Sequence, residues 1–176
     1  MKTTFIAPDS SVAVDVEHAA LWAMLDLCAS AGRLETGGIL LGRYSTYGDR
    51  VVVSRIVGPP PDSKHHNFGF VRGVSGLAAK LRAAWSQGEY YVGEWHFHPH
   101  ASPTPSGRDR SQILAFSQDP DYHCPHPVLI VVGGVPPTDW SASVSVVINQ
   151  RVVSLVAYAE GSPDAGQRGA QRRSQS

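Results

Sequence analysis

No stretch constrains this chain more than Glu94-Trp95-His96-Phe97-His98-Pro99-His100. Residues i and i+2 of a strand share a face, so an extended segment here presents the His96 and His98 imidazoles on one side and sends Trp95 and Phe97 into packing on the other. Pro99, Pro103 and Pro105 forbid a regular continuation of the strand, and Ser106 is a good N-cap for a following helix, which puts Asp109 at its third helical position. From there a carboxylate can swing back over the strand end. Two neutral imidazoles and one carboxylate form a three-ligand set of the kind that holds catalytic Zn²⁺ with the fourth position open to water. Glu94 is in phase with both histidines, but a strand repeat of about 6.8 Å per two residues keeps three successive in-phase side chains from converging on one ion. Glu94 therefore reads as a supporting or structural residue. His100 lies off the strand, beyond Pro99, and His65, His66, His123, Cys124 and His126 have no partner at a convincing spacing.

The spacing His96-x-His98, seven residues, Ser106, two residues, Asp109 resembles the JAMM motif of the JAB/MPN metalloprotease family. The upstream glutamate of that family has its counterpart in Glu35, within Glu35-Thr36-Gly37-Gly38-Ile39-Leu40-Leu41-Gly42. Ile56-Val57-Gly58-Pro59-Pro60-Pro61 and Tyr91-Val92-Gly93-Glu94-Trp95-His96 look like the prokaryotic JAB branch, and the likeness runs over roughly residues 12–158.

The resemblance implies Zn²⁺ on His96, His98 and Asp109. It implies Glu35 as the group that takes a proton from the attacking water and passes it to the leaving amine. It gives the Ser106 hydroxyl a bond to the oxyanion of the tetrahedral intermediate, in competition with that residue's ordinary service as a helix cap. The implied activity is a zinc-dependent isopeptidase or peptidase that cleaves after the C-terminal glycine of a ubiquitin-like protein, by deconjugation or by processing of a precursor. Prokaryotic relatives of this look accompany E1-like and E2-like proteins in conjugation or defence operons, which makes those enzymes the implied partners. Two alternatives stand beside it: a peptidase that releases an amino acid from a sulfur-carrier protein, and a non-catalytic MPN scaffold. The scaffold predicts a broken motif, whereas all five positions are intact here. Eukaryotic deubiquitinases of the family clamp ubiquitin with two insertions. This chain offers only residues 59–72 and the short connector 99–105 in comparable places, so the resemblance does not extend to true ubiquitin as substrate.

The rest of the sequence bounds the molecule. A chain of 176 residues, 42% hydrophobic and 17% charged, suits one globular domain. Lys plus Arg balance Asp plus Glu at 15 each, which supplies no basic stripe for nucleic acid or an anionic membrane. The two cysteines, Cys28 and Cys124, are too few for a disulfide framework and suit a reducing compartment. Pro8 and Asp9 interrupt the N-terminal apolar run too early for a signal peptide, so a cytoplasmic location is expected.

Periodicity predicts a helix over 15–32, with Asp15 as N-cap, Gly32 as stop and Leu21, Met24, Leu25 and Cys28 on its apolar face. Strands are expected at 38–42 and 50–57, a loop at 58–72, and a helix through Val74, Leu77, Leu81 and Trp85 that closes at Gly88. The histidine strand at 90–98 and a helix at 106–118 follow. A β-branched run at 128–132 reads as a central strand buried on both faces, and 142–148 with 152–158 as a hairpin. The domain is placed at 1–159, and 160–176, free of large apolar residues, as a disordered tail. These elements sum to an α/β (α+β) fold, a mixed, largely antiparallel sheet sandwiched by helices, as the JAB/MPN resemblance also implies.

Overall fold

A computed structural model describes residues 1–158. The expected tail at 160–176 lies outside the described residues. In chain order the elements are β1 (Lys2–Ile6), β2 (Ala13–Glu17), α1 (His18–Ala31), β3 (Thr36–Tyr44), β4 (Arg50–Val57), β5 (Lys64–His66), β6 (Gly69–Val71) and α2 (Leu77–Trp85). They continue with β7 (Tyr90–Pro99), α3 (Gly107–Gln118), a 3₁₀ turn (Pro120–Tyr122), β8 (Val128–Val135), β9 (Asp139–Ile148), β10 (Arg151–Ser154) and β11 (Val156–Tyr158). Among the described residues, nine strands form one sheet in the order β10-β9-β8-β7-β3-β4-β2-β1-β11. Among these described strands, only β2 with β4 and β7 with β8 pair in parallel. The mixed, largely antiparallel sheet with helices on both faces is the expected fold.

Alternation along the strands divides the core. On one face Val92, Trp95 and Phe97 of β7 and Val128, Ile130 and Val132 of β8 pack with Ala20, Met24, Leu25 and Cys28 of α1. On the other, Ile39 and Leu41 of β3 meet Leu77 and Ala84 of α2, while Leu129 and Val131 of β8 meet Ile113 of α3. Trp95 is wholly buried, and its indole N–H donates to the Val57 carbonyl at 3.2 Å. Gly38 is required beside it, because a Cβ there would stand 1.9 Å from the Val57 carbonyl oxygen and 2.9 Å from the indole nitrogen. With Trp95 and Phe97 fixed on the α1 side, His96 and His98 face α3. No helix among the described residues is long and apolar enough to cross a membrane.

Four expectations need correction. Asp15 does not cap α1. It sits in β2, almost fully buried, and accepts from Lys2 Nζ at 2.6 Å, Thr4 Oγ1 at 2.7 Å and Arg50 Nη1 at 2.9 Å, while α1 starts after Glu17 with no side-chain cap. An aspartate whose partners come from β1 and β4 has no local sign that it belongs to a strand. Residues 58–72 are not loop throughout, because β5 and β6 form a small hairpin inside them. Helix α2 begins only at Leu77, and Val74 and Trp85 are mostly exposed rather than on its packed face.

Residues 152–158, finally, form the expected hairpin with β9 only as far as Ser154. β10 pairs with β9, then a single residue, Leu155, separates it from β11, which pairs with β1 at the other end of the strand order. The sheet therefore curls until its two ends adjoin, and the Leu155 N–H donates to the Val144 carbonyl of β9 at 2.8 Å, one step beyond the Ser154–Ser145 pair.

Candidate metal centre and active site

His96 and His98 lie on β7 between β3 and β8, with Gly37 and Val131 opposite His96 and Gly133 opposite His98. Pairing on both sides fixes the backbone at His96, and pairing with β8 fixes it at His98. The connector after Pro99 is held just as firmly. A Cβ on Gly133 would stand 2.4 Å from the Ala101 carbonyl oxygen and 2.5 Å from Pro103 N, so the connector lies flat on bare β8 backbone. Ser143 Oγ donates to the Pro103 carbonyl at 2.6 Å.

The chain then enters α3 through a capping box. The Asp109 N–H donates to Ser106 Oγ at 3.2 Å, and the Ser106 N–H donates to Asp109 Oδ2 at 2.7 Å. The box turns the Asp109 carboxylate back toward β7. Asp109 Oδ1 lies 2.9 Å from His96 Nδ1, and Oδ2 lies 3.5 Å from His98 Nε2. Both His96 and Asp109 are buried. Burial pushes the Asp109 carboxyl up, but hydrogen bonds from His96, His98 and Ser106 outweigh it and hold the group well below the usual carboxylate range. The contact with Asp109 raises the His98 imidazole above its ordinary value, against the opposing effect of burial.

Among the described residues, no group of three or more His, Cys, Asp or Glu side chains is spaced as a ready metal cage. The two imidazoles instead stand within ion-pair distance of the Asp109 carboxylate. The chemistry of the donor set, two imidazoles and one carboxylate, is nevertheless of the kind that takes a divalent ion.

Glu35 precedes β3 and is half-buried. Its backbone is fixed by the β5–β6 hairpin: the Glu35 N–H donates to the His66 carbonyl at 2.9 Å, and the Glu35 carbonyl lies 3.0 Å from His65 Nδ1. Burial pushes the Glu35 carboxyl above its ordinary value; His98, His96 and Arg108 act against that shift, and Asp109 adds to it. A carboxyl so placed can hold and release a proton nearer neutrality than a surface glutamate. The hairpin also presents Phe70 edge-on to His96, with ring centroids 5.9 Å apart at 84°.

The structure thus brings Glu35, His96, His98, Ser106 and Asp109 to one place. Glu94 is apart from them in function. Its buried carboxylate accepts from Arg72 Nε at 2.9 Å and from Tyr91 Oη at 3.0 Å. Sequence reasoning missed Arg72, Arg108, Phe70 and His65. Their contacts run to a carbonyl, an aromatic edge or a residue far along the chain, and no motif spacing encodes such contacts. Cys124 and His126 form no second site: Cys124 Sγ lies 3.0 Å from Tyr44 Oη, His126 Nδ1 lies 3.0 Å from the Val147 carbonyl, and burial pushes the Cys124 thiol up to about 12.

The fold agrees with comparison against known proteins. Residues 17–146 match the family model described as prokaryotic homologs of the JAB domain, and the chain belongs to that family. It is 40% identical over 143 residues to a protein of Enterobacter hormaechei subsp. hoffmannii named CD-NTase/cGAS isopeptidase, an alignment covering 81% of this chain and 79% of that one. It is 30% identical over 116 residues to a probable metalloprotease of Sinorhizobium fredii, covering 58% of this chain and 65% of the relative. A solution structure of a protein from Desulfitobacterium hafniense superposes with a TM-score of 0.60 at 18% identity, over 79% of this chain and 87% of the other, which shows the shared fold.

Proposed function

We propose that the chain is a zinc-dependent isopeptidase that hydrolyses the amide between the C-terminal glycine of a ubiquitin-like or functionally equivalent protein and an amine on its target. The observation that carries this reading is the convergence of the Asp109 carboxylate of α3 on His96 and His98 of β7, with Glu35 beside them. His96, His98 and Asp109 would hold the ion, which when bound polarises a carbonyl and lowers the pKa of water.

The chain's own groups account for the proton movements. The raised Glu35 carboxyl takes a proton as water oxygen bonds to the amide carbon. It returns that proton to nitrogen as the carbon–nitrogen bond breaks, leaving a carboxylic acid and a free amine. Ser106 spends a hydroxyl lone pair on the Asp109 N–H, which leaves its own O–H free to donate to the amide oxygen as charge builds there. Capping and oxyanion binding therefore use different ends of one hydroxyl.

The name of the 40%-identical relative makes a CD-NTase/cGAS-class protein the conjugate to try first, with E1-like and E2-like enzymes as its makers. The decisive assay incubates the purified, zinc-analysed protein with such a conjugate and with a glycine-linked reporter amine, with and without chelator. Cleavage that chelator stops and zinc restores is expected, together with a Glu35→Gln variant that still binds zinc but does not turn over. Full cleavage by chelated protein, or by Glu35→Gln, would overturn the reading.

A further inference from the structure

Arg108 is the second residue of α3, between the capping Ser106 and Asp109, and it is exposed. A cation in the first turn opposes the helix macrodipole, so helix stability does not explain it. Arg108 forms no ion pair among the described residues. Its guanidinium reaches across to the β5–β6 hairpin: Nη1 lies 3.9 Å from the point where a Cβ on Gly69 would stand. The same hairpin holds the Glu35 backbone, whose N–H donates to the His66 carbonyl at 2.9 Å, and His66 pairs with Gly69. An uncommitted planar guanidinium thus bridges two walls of the site beside the proposed base. Such a fork is built to take a carboxylate through two parallel hydrogen bonds.

We propose that Arg108 anchors a substrate carboxylate at the mouth of the site and makes the chain selective for substrates that carry one beside the scissile amide. The inference rests on the isopeptidase reading. That carboxylate has two sources, an acidic side chain just before the terminal glycine or the free carboxyl end of a short leaving peptide.

The test uses four dye-labelled octapeptides built around one glycine–lysine linkage: neutral, acidic before the glycine, free-carboxyl on the leaving side, and both. Each is made as the cleavable amide and as an uncleavable ketomethylene isostere. With zinc-loaded protein at low salt, anisotropy should show at least one carboxylate-bearing isostere binding about tenfold tighter than the neutral one. Arg108→Gln should erase that preference while leaving the neutral isostere within about twofold, and Arg108→Lys should keep part of it. In turnover of the amides the loss should fall on KM rather than kcat. Which of the two singly charged peptides carries the preference identifies the source.

No preference in the wild type, or a preference that survives Arg108→Gln, would overturn the assignment. So would a lower Tm for Arg108→Gln, since removing a cation from the first turn should hold or raise it. Isostere preference without cleavage of any amide would sink the isopeptidase reading alone, and cleavage without preference would sink the Arg108 anchor alone.

Discussion

Asp109 is held from three directions, by His96 at 2.9 Å, by His98 at 3.5 Å and by the Ser106 N–H at 2.7 Å. The last contact ties the chemistry of the site to the start of a helix. Ser106→Ala should remove the cap and cost about 1 kcal/mol of stability, whereas Ser106→Asp keeps a capping acceptor. Both variants lose the hydroxyl donor, so both should fall about 10²-fold or more in kcat, read against urea unfolding of each protein. A Ser106→Asp enzyme with full kcat would restrict Ser106 to capping. Away from the site, Asp15 gathers Lys2, Thr4 and Arg50 in the core of β2. Burial pushes its carboxyl up, but those bonds and the Arg50 charge hold it below the ordinary range. A depressed carboxylate contributes stability above its unfolded pKa of about 3.9 and loses it as pH falls through the lower folded value. Asp15→Asn should therefore cost about 1–3 kcal/mol at pH 7, and the gap to wild type should shrink at pH 3 in denaturant titrations.

At the scale of elements, α3 is the part that carries Asp109, and its anchor is Ile113, buried against Leu129, Val131 and Val147. Ile113→Ala should cost about 2–5 kcal/mol and should also weaken zinc binding, because the helix that aims the carboxylate loses its fixed seat. Unchanged zinc affinity in a destabilised Ile113→Ala protein would show the capping box and connector suffice to aim Asp109. Helix α3 and β7 were legible in the chain because their signals are local: alternation in 94–98, prolines, then a Ser-x-x-Asp box. The β5–β6 hairpin was not legible. Its strands have three residues each, and what fixes it beside the site is a pair of contacts with the Glu35 backbone some thirty positions earlier. Helix α2 misled for the opposite reason, since Val74 and Trp85 continue an apolar rhythm onto a face that stays exposed.

In the whole molecule, the closing device is residues 151–158, which pair with β9 at one end of the sheet and β1 at the other. Ending the chain after Gln150 would strip both seams and uncover Phe5, Trp140 and Val144, which pack around the same core. The truncated protein should lose the cooperative thermal transition of the full chain; equal melting of the two would show that the seam is dispensable.

Sequence alone determined the in-phase histidine pair of β7, the capped helix that returns Asp109 and the buried β8, because each rests on periodicity or capping within a short stretch of chain. Only the tertiary structure decided that Asp15 belongs to a strand, that one segment joins both ends of the sheet, and that Arg108 reaches the hairpin that holds the Glu35 backbone. Those facts are contacts between residues far apart in the chain, and a one-dimensional pattern carries no record of which distant partner satisfies a buried charge.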